Sequence, residues 1–151
     1  MQITISRDEE KKYRQKLEEK NDAESIRLRR YLDMPDLSRV TGSPIRELAD
    51  RITRLEYFKG FDVIDVPEIV GADISFDLFD FPPDHPARKK SDTYFLDDNH
   101  ILRPHTTVMW YYYFEQEEIK KRMAHNASFG VFCHGKVYRK DEIDRHHMNV
   151  F

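Results

Sequence analysis

Three prolines within five residues, Pro82, Pro83 and Pro86, interrupt the middle of this chain of 151 residues. Proline fixes φ and offers no backbone N–H, so this segment forms neither a regular helix nor a central strand. An ordered loop is the most regular structure that it permits. The periodic apolar patterns on either side of the loop must therefore supply the helices and strands of the fold.

Before the loop, the sequence predicts a helix followed by a short strand. Ser43 caps free backbone N–H groups, and Pro44 suits the first helical position. Apolar residues then recur at spacings of three and four until Gly60 ends the helix. Phe61–Val66 is rich in β-branched residues and predicts a strand, which Pro67 stops. The apolar face of the helix consists of Ile45, Leu48, Ala49, Ile52, Leu55 and Phe58.

After the loop, hairpin, helix and strand patterns follow one another. Thr93–Leu96 and Ile101–Arg103 predict a hairpin, because turn residues separate two short apolar runs. Thr107–Met123 predicts a second helix, and Phe129–His134 and Val137–Lys140 predict two more strands. Helices mixed with short strands in this order indicate an α+β fold.

The N-terminal part differs in character, since residues 7–30 are almost all polar or charged. Asp8–Leu32 predicts one helix with a thin apolar stripe, which is either a solvated helix or an arm that contacts a partner subunit or RNA. We therefore expect an N-terminal charged helix over residues 1–33 and a second domain over residues 34–151.

Composition excludes several classes of protein. The net charge of −3, from 25 basic and 28 acidic residues, is not that of a duplex-binding protein, although local patches remain open. The only cysteine, Cys133, rules out an intrachain disulfide and fits a space-filling role in a strand. The absence of a signal peptide and of a long apolar run predicts a reducing, cytoplasmic setting without membrane partners.

One group of residues near the C-terminal end has the chemistry to bind a nucleotide. Arg139 and Asp141 stand two apart, which places them on one face of a strand. A guanidinium suits phosphate oxygens, the carboxylate can bind an amine, and a later aromatic residue, Phe151, can stack on a base. His147 lies in the same segment. By spacing alone, a surface hairpin with a salt bridge is the favoured explanation of the pair.

A second candidate lies where the predicted strand ending at Arg103 meets the next helix. His105 and Thr107 stand at the helix start, where free N–H groups favour an anion or carboxylate. A capping threonine beside a hydrogen-bonded histidine is the structural alternative. The aromatic run Trp110–Phe114 surrounds its helix, so some rings must lie in a core, in a subunit interface or in a pocket for an aromatic ligand.

Other kinds of site are not indicated. The seven histidines are scattered without a metal-binding spacing, so no metal ligands are predicted. The sequence also lacks a glycine-rich phosphate loop.

Taken in order, these segments resemble the phenylalanyl-tRNA synthetase α subunits, a family of class II aminoacyl-tRNA synthetases. Residues 43–69 are similar to the family's motif 1, and residues 135–151 are similar to its motif 2. Between them, Asp84-His85-Pro86-Ala87-Arg88 and the run at 102–107 match two further characteristic segments. The similarity covers about residues 43–151.

The resemblance implies roles for individual residues. Arg139 matches the arginine that binds the ATP α-phosphate and is the expected catalytic residue. The remaining ATP contacts expected from motif 2 are Asp141, His147 and Phe151. The expected amino-acid-binding residues are His105, Thr107 and Trp110, and Pro67 matches the motif 1 proline at a subunit interface.

Three positions depart from the family pattern. Thr107 replaces a serine but keeps the hydroxyl, Trp110 replaces a glutamine that contacts the amino acid, and Ser43 replaces a histidine. The chain also ends inside motif 2, before motif 3. We therefore expect a partial core that is inactive alone, arising from a split gene or a fragment.

The resemblance implies an antiparallel class II sheet, incomplete here, with flanking helices. It implies ATP-dependent activation of phenylalanine and its transfer to tRNA, with Mg²⁺ accompanying ATP and no Mg²⁺ ligand identifiable. A β subunit and a second α subunit are the expected partners in a heterotetramer. The alternative is a non-catalytic paralogue that keeps the fold for binding or dimerisation.

Overall fold

The computed structural model describes residues 1–140, which form two compact units. The first unit consists of Met1–Pro67 and Thr106–Lys136. The second consists of Glu68–His105 and the described residues from Val137 onward. Residues 1–33 thus share a unit with residues 34–67, and the domain boundary at residue 33 stays a prediction. Within residues 1–140, no helix is long and apolar enough to cross a bilayer.

A three-stranded parallel sheet forms the centre of the first unit. Its order is β1 (Gln2–Thr4), β2 (Asp62–Asp65) and β5 (Val131–Cys133). In the register, Ile64 of β2 lies opposite Ile3 on one side and Cys133 on the other. Ile64 is fully buried, so the β-branched run in this segment supplies the core as its sequence pattern predicts.

The N-terminal segment forms two helices, and the prediction of one continuous helix over Asp8–Leu32 is wrong. α1 (Asp8–Glu18) and α2 (Ala23–Asp33) are separated by a turn at Asp22. The Asp22 carboxylate accepts a hydrogen bond from the Ser25 backbone N–H at 2.9 Å and begins a new helix there. The two helices pack together, and their buried residues include Leu17, Leu28, Tyr31 and Leu32.

The motif 1 helix, α3 (Pro44–Thr53), begins at Pro44 as predicted, but the expected capping by Ser43 is wrong for the described residues, since its side chain makes no capping hydrogen bond. It ends five residues earlier than predicted, and a single 3-10 turn at Glu56–Phe58 follows. Its polar side, with Arg46, Asp50 and Thr53, lines a cleft of about 410 Å³ together with strand β2. Its apolar face is turned outward, with Ile45, Leu48 and Ile52 exposed by 51%, 58% and 40% and Leu55, beyond its end, by 52%.

The aromatic run occupies α5 (Val108–Phe114), and α6 (Glu117–Ala124) follows it. One helix was predicted over Thr107–Met123, but the backbone at Gln116 is extended and divides it. Met109, Tyr113 and Ile119 are completely buried, while Trp110 is half exposed. The run therefore contributes Tyr113 to the core and leaves Trp110 and Phe114 exposed.

The second unit contains an antiparallel pair, β3 (Ile69–Gly71) with β4 (His100–Leu102). The predicted hairpin of Thr93–Leu96 with Ile101–Arg103 is present: the Leu102 N–H donates to the Tyr94 carbonyl at 2.9 Å, the Leu96 N–H donates to the His100 carbonyl at 2.8 Å, and Phe95 forms a bridge with Ile101. Helix α4 (Ala72–Phe76) follows β3, and the proline-rich loop contains only a 3-10 turn at Pro86–Arg88. The loop therefore lacks regular helix and strand, as its prolines predict.

These elements confirm an α+β fold. The finer expectation of one antiparallel sheet is not confirmed by the described residues, because the three-stranded sheet is parallel and only β3–β4 is antiparallel. Val137–Lys140, predicted as a strand, is also not assigned to one.

Candidate functional site

The segment that carries Arg139 is fixed by backbone hydrogen bonds at alternate residues in the second unit. The Tyr138 N–H donates to the Arg103 carbonyl, and the Lys140 N–H donates to the Asp92 carbonyl, each at 3.0 Å. Arg139 lies between these two anchors, and its side chain is exposed. The alternation gives the segment the local hydrogen bonding of a strand, with Arg139 on the opposite side from the buried Tyr138.

Tyr138 is the buried member of this segment, with 5% of its surface exposed. Its hydroxyl donates to the Glu68 carboxylate, which is also buried. On the other side of Arg139, the Lys140 ammonium lies 5.6 Å from the centre of the Tyr94 ring, a cation–π distance. Two adjacent cations, Arg139 and Lys140, thus stand on an anchored segment, an arrangement that suits a phosphate ligand.

His105 has one defined hydrogen bond. Its Nε2 lies 3.3 Å from the Ser75 carbonyl oxygen, which can only accept, so Nε2 carries the proton. Nδ1 is buried and has no hydrogen-bond partner among residues 1–140. Burial lowers the pKa of His105, although the Ser75 carbonyl opposes this shift. The ring is therefore held neutral, and its Nδ1 is an acceptor suited to an ammonium or N–H donor.

Aromatic rings surround His105 within the second unit. Phe79 meets it edge-on at a centroid distance of 5.7 Å, and Phe81 lies 6.5 Å away. Phe81 also stacks on His85 at 4.6 Å. The segment between α4 and the prolines, which the sequence marks only as rich in Phe and Asp, therefore gives His105 an apolar surrounding that explains its pKa.

Two predicted amino-acid-binding residues, Thr107 and Trp110, lie in the first unit. Thr107 precedes α5, and its side chain makes no capping hydrogen bond to the described backbone. The Trp110 indole N–H donates to the Cys133 thiol. Burial raises the pKa of Cys133 to about 11, while this hydrogen bond opposes the shift. Cys133 is therefore a thiol at neutral pH, in agreement with a space-filling role.

The other predicted site residues are placed as follows. Pro67 is buried and follows β2 in the sequence. Asp141, His147 and Phe151 lie outside the described residues. In the part of the chain that the structure describes, no three His, Cys, Asp or Glu side chains are grouped to hold a metal ion. Thus no Mg²⁺ ligand can be named.

One cleft in the described part of the second unit contains none of the predicted site residues. The second unit has a cleft of about 490 Å³ lined by Asp73, Asp77, Arg88 and Asp98, where Arg88 pairs with Asp77 at 2.6 Å. This lining is acidic overall and contains none of the predicted ATP or amino-acid contacts. The candidate site therefore rests on the Arg139 segment and on His105, each described by its own contacts.

The residues that support the site could not be identified from the sequence. Glu68 stands in motif 1 and Ser75 follows β3, but their partners, Tyr138 and His105, are 70 and 30 residues away. A buried glutamate directly after Pro67 is the one signal that was available, since such a residue requires a partner.

Comparison with known proteins gives the family. The family model described as tRNA synthetases class II core domain (F) matches residues 31–151. The phenylalanine–tRNA ligase alpha subunit of Persephonella marina is 34% identical over 103 residues, which are 68% of this chain and 28% of that protein. The same subunit of Nostoc punctiforme is 35% identical over 108 residues, 72% of this chain and 30% of that protein.

A longer alignment joins this chain to the phenylalanine–tRNA ligase alpha subunit of Corynebacterium glutamicum. It is 30% identical over 141 residues, covering 89% of this chain and 39% of that protein. The chain therefore spans well under half the length of these relatives. The matched region contains the Arg139 segment and the His105–Thr107 junction. The chain belongs to the class II tRNA synthetase core-domain family and is similar over most of its length to phenylalanine–tRNA ligase α subunits.

Proposed function

We propose that this chain supplies the motif 1 to motif 2 part of a phenylalanine–tRNA ligase α subunit. In this role it binds ATP and phenylalanine for the formation of phenylalanyl-adenylate, from which the amino acid passes to tRNA. The observation that supports this most strongly is the exposed Arg139 between two backbone anchors, at the position where the family carries its ATP arginine.

For ATP, Arg139 is the residue that neutralises the α-phosphate. Negative charge builds on that phosphate when the amino-acid carboxylate attacks in line, and a guanidinium fork offers two parallel donors to its oxygens. Asp141, His147 and Phe151 complete the adenine and phosphate contacts in this proposal, by their positions in motif 2. Mg²⁺ enters with ATP and supplies further charge neutralisation to the phosphates.

For phenylalanine, His105 is the residue best placed by its own chemistry. Its Nδ1 is a buried acceptor on a neutral ring, which suits the ammonium group of an amino acid. Thr107 offers a hydroxyl that no capping bond occupies within the described chain. Trp110 stands where the family has glutamine, and its half-exposed ring replaces an amide contact with apolar surface.

The outward apolar face of α3 supports association with a second α subunit. Four neighbouring apolar side chains are exposed there, and a contiguous apolar face of this kind is typical of a protein–protein interface. The same proposal includes a second α subunit, a β subunit and tRNA as partners. It also includes the remainder of the antiparallel core. The lone Cys133 fits a reducing cytoplasmic setting.

The direct test is amino-acid-dependent exchange of labelled pyrophosphate into ATP. The chain is combined with a β subunit and the C-terminal part of an α subunit from one of the relatives. We expect exchange with phenylalanine and a loss of about 100-fold in Arg139→Ala, the size seen when a transition-state donor is removed. Arg27→Ala, which removes the same charge from an exposed surface of α2, serves as the control and keeps the rate.

Two results would overturn the proposal. Exchange with serine but not phenylalanine would contradict the assigned amino acid. Exchange that is equally fast in wild type and Arg139→Ala would contradict the assigned ATP contact.

A further inference from the structure

Glu68 and Tyr138 form a buried polar pair directly behind Arg139. Glu68 is 8% exposed and Tyr138 is 5% exposed. The phenol donates to the Glu68 carboxylate, so the hydrogen bond is charge-assisted and formed away from bulk water. Apolar side chains would fill this space without the cost of burying a carboxylate. The pair therefore needs an explanation beyond packing.

The backbone of Arg103 joins the same two residues. Its N–H donates to the Glu68 carbonyl at 2.9 Å, and its carbonyl accepts from the Tyr138 N–H at 3.0 Å. The first bond continues the β3–β4 ladder one residue beyond the pairing of Ile69 with Leu102. The ladder thus fixes the backbone of Glu68. The hydrogen bond between the Glu68 carboxylate and the Tyr138 hydroxyl then restrains the Tyr138 ring.

Side-chain direction in an extended segment alternates, so the orientation of Tyr138 determines that of Arg139. Tyr138 is hydrogen-bonded through both its backbone N–H and its hydroxyl, so its side chain cannot change rotamer without breaking a buried hydrogen bond. The cation–π contact between the Lys140 ammonium and the Tyr94 ring restrains Lys140, the residue that follows Arg139. Between these restraints, the Arg139 backbone has little rotational freedom, although its side chain is exposed.

We propose that Glu68 is a positioning residue for the Arg139 guanidinium and acts through the Tyr138 hydroxyl. This inference rests on the proposed ATP contact of Arg139. The Glu68–Tyr138 pair reduces the loss of conformational entropy in the Arg139 segment when ATP binds, because Arg139 is already directed to the phosphate.

The test measures the Kd for ATP by equilibrium dialysis with the whole chain. Tyr138→Phe removes the hydroxyl only, and we expect it to weaken ATP binding about tenfold, the size of one hydrogen bond to a charged group. Glu68→Gln keeps an acceptor oxygen, so we expect about a threefold loss. In the double variant with Arg139→Ala, Tyr138→Phe should add nothing further, because the group that it positions is absent.

Thermal unfolding and circular dichroism accompany each variant. If the wild type binds no ATP, or if Arg139→Ala binds ATP as tightly as the wild type does, the proposed function is overturned. Either result leaves the hydrogen bond between Glu68 and Tyr138 unaffected. If Arg139→Ala weakens binding but folded Tyr138→Phe keeps the wild-type Kd, the positioning role is wrong. If Tyr138→Phe does not fold, Glu68→Gln decides, and an unchanged Kd refutes the inference. If neither variant folds, the pair serves stability alone and the inference is likewise overturned.

Discussion

The hydroxyl of Tyr113 donates a hydrogen bond of 2.8 Å to the carboxylate of Asp62, which joins helix α5 to strand β2 across 51 residues of sequence. Both side chains are buried, and Arg122 of α6 donates to the same carboxylate at 2.8 Å. Burial raises the pKa of Tyr113, and the Asp62 charge adds to this effect. One aspartate therefore holds two helices against the parallel sheet.

Removal of Asp62 should destabilise the first unit strongly. Asp62→Ala leaves the Tyr113 hydroxyl and the Arg122 charge without their acceptor, so we expect a loss of about 3 kcal/mol in the free energy of unfolding. Tyr113→Phe should cost about 1 kcal/mol, since only one hydrogen bond is lost. Urea unfolding followed by circular dichroism measures both. Additive losses in the double variant would show that the two groups do not interact.

Stability should decrease as the pH falls from 7 to 5. Burial lowers the pKa of His105 and of His134, and the Arg39 charge lowers that of His134 further. The unfolded chain then binds more protons than the folded chain below about pH 6.5, so stability is highest above that value and falls through this window. Urea midpoints measured at several pH values give the slope. His134→Gln should flatten it, because one group with a lowered pKa is removed.

Cys133 should react slowly in the folded protein. Burial raises the pKa of its thiol to about 11, so the reactive thiolate is scarce at pH 8. We expect iodoacetamide to modify the native chain slowly at pH 8 and faster toward pH 11, whereas the urea-unfolded chain reacts rapidly. Rapid modification of native protein at pH 8 would show that the thiol is neither buried nor protonated.

A charge on the outer face of α3 should disrupt association without disturbing the chain itself. Leu48 is 58% exposed, so Leu48→Lys should change the free energy of unfolding by less than about 0.5 kcal/mol. Sedimentation equilibrium should show self-association for the wild type and a shift to monomer for the variant. Gln15→Lys adds the same charge on exposed α1 and should leave the wild-type distribution. A variant that still associates would exclude this face from the interface.

Local signals in the sequence predicted the start of α3 at Pro44 and the irregular loop at residues 82–86, because proline geometry acts within a few residues. The break at Asp22 was missed although its capping residue is visible, since the apolar stripe continues past it. The pairing of β4 with β3, in addition to the predicted hairpin with its neighbour in sequence, depends on tertiary contacts that periodicity does not contain.

The candidate site, like the fold, could be predicted from the sequence only in part. The position of Arg139 follows from motif 2, and its exposure agrees with the alternation of its segment. Its support by Glu68 and the neutral state of His105 depend on residues 70 and 30 positions away, which only the fold brings together.

The central claim is that Arg139 binds ATP, and direct binding tests it best. Equilibrium dialysis of labelled ATP with the whole chain should give saturable binding that weakens at least tenfold in Arg139→Ala, since a charged donor pair to phosphate is lost. Arg27→Ala, as the charge-matched control, should bind as the wild type does. Equal ATP affinity in wild type and Arg139→Ala would contradict the account.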